Sequence, residues 1–156
     1  KRVRLDGATL AGIFTGTITK WDAPQIAALN PGVTLPANPI VPEVRADSSG
    51  STYIFTDYLH TAQPTIFTAA AAKTTLVTSG NGFIGGNGNQ GVAANLENTD
   101  YSIGYVEYSY VLLNRTLDAA NVVNAAGKSV AVSPTSIAAA AATVSENCLR
   151  FITVCY

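Results

Sequence analysis

At 156 residues the chain is long enough for one well-packed domain and too short for two comfortable ones. Hydrophobic residues make up 47% and charged residues 12%, which excludes a disordered chain, and no apolar run approaches the roughly 20 residues of a membrane span. The net charge of −1, with basic residues gathered only at Lys1, Arg2 and Arg4, argues against a nucleic-acid partner and reads as a solvated terminus.

In chain order, short strand candidates alternate with helix candidates, the pattern of an α/β layer structure. Val3–Leu5 predicts an opening strand. Asp6 then caps a helix over Ala8–Phe14 that Gly16 ends. Asp22 is expected to cap a second helix, with Pro24 in its first turn, running to Leu29 before the Asn30-Pro31-Gly32 stop. Pro36 and Pro39 mark an extended connection into a strand at Ile40–Val44. Ser48-Ser49-Gly50-Ser51 opens a helix through Leu59, in which Ile54, Phe55, Tyr58 and Leu59 repeat at helical spacing. Thr74–Val77 reads as a strand, followed by a glycine-rich turn from Gly80 to Gly91, with Asn89 capping a helix over Gln90–Leu96. Ile103–Leu113 reads as one or two strands. Pro134–Val144 reads as a helix whose Ala138–Ala142 run is buried or half-buried, and Phe151–Tyr156 as a last strand. There is no internal repeat and no dividing linker. The chain has no methionine, so it is expected to be a processed or excised piece, on which a missing signal peptide is uninformative.

Few residues carry metal or nucleophile chemistry. Cys148 and Cys155 match no zinc spacing, and with one histidine in the chain no metal site is expected; in an extracytoplasmic protein the two can either pair as a disulfide or stay free. His60 has no Ser or Cys nucleophile at a motif position, Asp22, Asp57, Glu97 and Glu107 are scattered, and no catalytic residue or cofactor is expected. The glycine-rich turn reads either as a second backbone anion nest or as a tight turn feeding a helix. Trp21 is expected to pack on the first two helices, and Tyr101, Tyr105, Tyr108 and Tyr110 to be strand residues. Asn114-Arg115-Thr116 fits the N-glycosylation acceptor pattern, relevant to a secreted eukaryotic chain.

The most informative segment is Val44-Arg45-Ala46-Asp47-Ser48-Ser49-Gly50-Ser51-Thr52, where a strand ends and a helix begins. The first turn of a helix leaves N–H groups without internal partners, and the helix dipole adds positive potential there, so an anion is welcome. Ser49 and Ser51 add hydroxyl donors, Gly50 allows close approach, Arg45 offers a planar fork for two oxygens, and Asp47 would brace that fork. A plainer reading also fits: Ser48 or Ser49 is an N-cap, and Arg45 a surface side chain paired with Asp47. The glycines do not match a P-loop, which needs a Lys after its last Gly.

Four segments carry a family resemblance. Leu5-Asp6-Gly7, Thr9-Leu10 and Ile13-Phe14-Thr15-Gly16-Thr17-Ile18-Thr19-Lys20-Trp21-Asp22 form the first, continued by Ile26-Ala27-Ala28-Leu29-Asn30-Pro31-Gly32 and Leu35-Pro36. Arg45 through Leu59 form the second, Gly88-Asn89-Gln90-Gly91-Val92-Ala93-Ala94 the third, and Ser102-Ile103-Gly104-Tyr105-Val106-Glu107-Tyr108-Ser109-Tyr110 the fourth. In this order they resemble the phosphate-binding proteins of ABC transporters, the PstS type of periplasmic-binding-protein-like chain, over roughly residues 3–136.

The resemblance implies a single α/β lobe over residues 1–156, a central mixed sheet flanked by helices, with residues 137–156 divergent. It implies phosphate binding by Arg45, Ser49, Gly50 and Ser51, with Asp47 holding the arginine. Ser51 stands where the family usually has threonine and keeps both donors; Ser48 stands where it usually has glycine. The family's second lobe, which completes the cleft and carries the aspartate that accepts the proton of hydrogen phosphate, has no counterpart here. The partners implied are inorganic phosphate, an ABC permease and a second lobe, in the periplasm or outside the cell. The alternative is a structural domain that self-associates in an extracellular assembly, its anion site vestigial; an enzyme such as a phosphatase ranks below both.

Overall fold

The computed structural model describes residues 2–68, 74–76, 82–142 and 152–155. Among the described residues, two sheets and six helices form a mixed α/β architecture. Strand β1 (Arg4–Asp6) leads into α1 (Gly7–Phe14), which is closed by a reciprocal capping box: the Thr9 N–H donates to Asp6 Oδ1 at 2.8 Å, and the Asp6 N–H donates to Thr9 Oγ1 at 2.9 Å. Gly16, at φ 76°, turns the chain out of this helix as its position after the apolar run suggests. Helix α2 (Pro24–Leu29) starts one residue later than expected. Its N-cap is Ala23 and not Asp22, because the ring of Pro24 forces the preceding residue into an extended conformation and fixes the boundary there.

The larger sheet has the order β3-β2-β4-β7, built from β2 (Val41–Arg45), β3 (Ile84–Gly86), β4 (Ser102–Glu107) and β7 (Ile152–Cys155). Strands β3, β2 and β4 run parallel, and β7 closes the edge antiparallel. Helix α3 (Gly50–Ala62) follows β2 and α4 (Gly88–Asn98) follows β3. The smaller sheet is β1-β5-β6, with β5 (Asn121–Val123) parallel to β1 and β6 (Ser129–Val130) antiparallel to β5.

The central strands β2 and β4 are buried on both faces, β4 with five successive buried residues, whereas Ile84 and Gly85 of the edge strand β3 are exposed. On one face lies the main core, where Phe55 stacks on Tyr105 at 4.5 Å and Phe14 meets Phe55 edge-on at 4.8 Å. Trp21 is buried in this core and donates its indole N–H to the Tyr101 carbonyl at 2.9 Å. On the other face, Val92, Ala93 and Leu96 of α4 pack with Val106 and Leu117. Gly86 permits the closest of these approaches: a Cβ on it would stand 2.5–2.6 Å from the backbone of Gly91 and Val92.

Several expected elements are corrected. Residues 108–113 form helix α5 (Tyr108–Leu113), not a strand. The continuous burial of β4 stops at Glu107, and beyond it Tyr110 and Val111 reach the core under α4 from a helical turn. Tyr108 and Tyr110 are therefore helical, and Tyr101 sits in the turn before β4 at φ 61°. Residues 74 and 75 are a bend and not a strand, with the Thr74 carbonyl accepting from the Ser49 N–H at 2.8 Å; Val77 lies outside the described residues. The turn from Gly80 to Gly91, as far as it is described, contains β3 and the start of α4. The cap of α4 is Asn87; Asn89 is the second residue of the helix, and its Oδ1 accepts from the Glu107 N–H at 3.2 Å. Helix α6 (Pro134–Ala141) starts at its proline with Ser133 as cap, but none of its residues is buried, since alanine leaves little apolar area for water to oppose. Cys155 lies on β7, whereas Cys148 is outside the described residues, and the pairing of the two stays an expectation.

Candidate functional site

The register of the larger sheet gathers the candidate residues. Arg45, last in β2, pairs with Gly86, last in β3, so the helices that follow these strands both begin at the same edge. In open parallel sheets this carboxyl edge is where ligand sites form.

Ser49 is the N-cap of α3. Its backbone is extended and its Oγ accepts from the N–H groups of Ser51 at 3.1 Å and Thr52 at 3.3 Å. A hydroxyl that accepts two hydrogen bonds still has its O–H to donate. Gly50 is the first residue of the helix, and Ser51 is buried beside it. The Arg45 side chain, only 11% exposed, forms a two-point pair with Asp47: Nε donates to Oδ1 at 2.8 Å and Nη2 to Oδ2 at 2.6 Å. The serine cap and the Arg45–Asp47 pair of the plainer sequence reading both form, at one place with the anion-site residues, but Arg45 is largely buried and not the surface side chain of that reading.

The guanidinium of Arg45, bonded in this way, holds the Asp47 carboxyl well below the usual carboxylate range, helped by the Gly88 N–H, which donates to Asp47 Oδ1 at 3.1 Å. The same bond, rather than burial, pushes the Arg45 guanidinium above its ordinary value. Asp47 thus ties the end of β2 to the first turn of α4. Sequence reasoning missed this clasp: 41 residues separate Asp47 and Gly88, and no local pattern signals the contact.

A second buried group supports the site from beneath. The Tyr105 hydroxyl is 2.7 Å from Thr52 Oγ1 and accepts from the Arg45 N–H at 3.4 Å, joining β4 to the first turn of α3. Burial pushes the Tyr105 phenol above its ordinary value.

His60 and Asn114 lie apart from this network, whereas Glu107 stands at the same edge and acts on Arg45 through its charge. His60 Nδ1 is 3.0 Å from the Phe67 carbonyl, a contact at the far end of α3. Asn114 Oδ1 accepts from the Thr116 N–H at 3.0 Å and Thr116 Oγ1 at 2.8 Å, closing an Asx turn. Among the described residues, no three His, Cys, Asp or Glu side chains gather as a metal site, and no helix is long and apolar enough to cross a membrane.

The fold is a mixed α/β module in which two helices open beside a braced arginine at one sheet edge. Comparison with known proteins places it more closely. The family model of the PBP superfamily domain matches residues 1–148. The phosphate-binding protein PstS of Pasteurella multocida is 42% identical over 142 residues, covering 90% of this chain and 40% of that protein. Among solved structures, a DING protein superposes with a TM-score of 0.68 at 26% identity, over 92% of this chain and 42% of the other. A phosphate-binding protein from Stenotrophomonas maltophilia gives a TM-score of 0.54 at 26% identity, over 68% and 31%. The chain belongs to the PBP superfamily. It spans about 40% of the length of the Pasteurella relative.

Proposed function

We propose that this chain is one lobe of an extracytoplasmic solute-binding protein for phosphate, and that it holds the anion where α3 begins beside Arg45. The observation that carries this reading is the convergence of the Asp47-braced guanidinium with the Ser49-capped first turn of α3. With Nε and one Nη2 hydrogen committed to Asp47, the end of the fork keeps its two Nη1 hydrogens and one on Nη2, a set that suits two oxygens of a tetrahedral anion. The Gly50 N–H and the hydroxyls of Ser49 and Ser51 are the complementary donors. The names of the relatives, phosphate-binding proteins at up to 42% identity, favour phosphate as the anion.

In this reading the protein binds and releases its ligand without chemistry. A second lobe would close the other side of the anion, and an ABC permease would receive it. With the site open to water on one side, affinity of the single chain is expected near the millimolar range. Calorimetric titration of the chain with phosphate, beside an Arg45→Ala variant, tests the proposal. Saturable binding that the variant weakens by about tenfold or more supports it. Absence of binding into the tens of millimolar, or equal binding by the variant, overturns it.

A structural role in an extracellular assembly draws on a different observation, the exposed Leu112 and Leu113 at the end of α5, the latter 86% exposed. Sedimentation of the purified chain separates the two: a monomer that binds phosphate fits the first reading, and self-association without phosphate binding fits the second.

A further inference from the structure

Glu43 lies mid-strand in β2, two residues before Arg45 and on the same face of the sheet. It is fully buried, and no well-formed hydrogen bond reaches either carboxylate oxygen, the Asn95 and Thr99 side chains offering only weak ones. Gly104 stands opposite it on β4 and makes room for it: a Cβ on Gly104 would meet Glu43 Cβ at 3.0 Å and Leu96 Cδ1 at 3.3 Å. Ile84 of β3 lies alongside, and Asn95 and Thr99 are the polar side chains nearby.

The charges around it do not compensate. Strand β3 carries no titratable group; on β4, Tyr105 is on the opposite face and Glu107 is exposed at the strand end. Helix α4 contributes only Glu97, and the turn after it Asp100, both exposed. Arg45 is turned onto Asp47, and no described cation forms an ion pair with Glu43. An ionised carboxylate is less stable in such surroundings than in water.

We propose that Glu43 is a proton-operated latch for α4. Protonated, it lets α4 seat on the sheet; ionised, it draws in water and loosens α4, and with it the Gly88 N–H that clasps Asp47. Burial pushes the Glu43 carboxyl up from 4.5 to about 7, against the weaker opposing influence of Asn95 and Thr99. Because the seated state raises this value, the contribution to seating is complete below pH 4.5 and is lost as pH rises to about 7. From about pH 5.5 to 8.5, the constant for opening α4 rises roughly thirtyfold. The latch stands independently of the phosphate reading.

Hydrogen exchange of the α4 amides in this chain, corrected for intrinsic rates, measures that constant directly. The expected result is a rise of about thirtyfold across that range in the wild type and a flat profile in Glu43→Gln. A flat wild-type profile, or the same rise in Glu43→Gln, overturns the latch. Should Glu43→Gln fail to fold, carbon-13 titration of the wild-type Glu43 carboxyl decides: a midpoint near 7 supports the latch, and one below about 5 overturns it.

Discussion

At the scale of single residues, the chain places two buried polar groups beneath its charged edge, one well hydrogen-bonded and one poorly so. Tyr105 and Thr52 satisfy each other across the core. Tyr105→Phe would leave the Thr52 hydroxyl unpaired, and urea unfolding is expected to show a loss of about 1–2 kcal/mol. Glu43 behaves in the opposite sense. With its folded value raised to about 7, stability falls as pH rises from 4.5 and levels off above 7. Replacing it with leucine is expected to raise stability at pH 8 by about 2–3 kcal/mol and to flatten the pH dependence in thermal unfolding. Asp47 works the other way again: Arg45 holds its carboxyl below the ordinary range, so the pair keeps its charge above pH 4 and weakens only as pH falls further. The Arg45 fork, its Asp47 brace and the serine cap were all legible in one stretch of nine residues, because each acts through near neighbours. Glu43 was not, since in sequence it is one polar residue in a strand, and only the covering of both sheet faces makes it costly.

At the scale of elements, legibility follows how local the cause is. Helices α1 and α3 announce themselves by a capping residue and a helical apolar repeat, and the structure places both within a few residues of the reading. Strand β3 has little to announce it, being Ile84-Gly85-Gly86, two glycines with weak strand preference held in place by β2 and by α4. Helix α5 reads as strand because Tyr, Val and Leu favour both states in so short a run, and packing under α4 decides between them. The β3–α4 junction should be intolerant for a steric reason. Gly86→Ala drives a methyl group into the Gly91–Val92 backbone, so α4 must shift; a cost of about 2–4 kcal/mol in chemical unfolding is expected, with the Asp47–Gly88 clasp disturbed.

At the scale of the whole molecule, the order of parallel strands explains why segments far apart in sequence serve one edge. Each parallel strand returns the chain to the same end, so Arg45, Gly88 and Glu107 arrive together while Trp21 and the Tyr101 turn secure the opposite end. The motifs reveal the family, but the clasp between the two helix starts exists only in three dimensions. A chain covering about 40% of its Pasteurella relative supplies, in the proposed reading, one side of a cleft, which accounts for expecting a real but weak site.

The most direct test is an amide NMR titration of this chain with phosphate. Saturable shifts centred on Gly50, Ser51 and the Gly88 clasp, absent from Arg45→Ala, are the expected result. Saturable shifts centred elsewhere, or none into the tens of millimolar, would contradict an anion site at the start of α3.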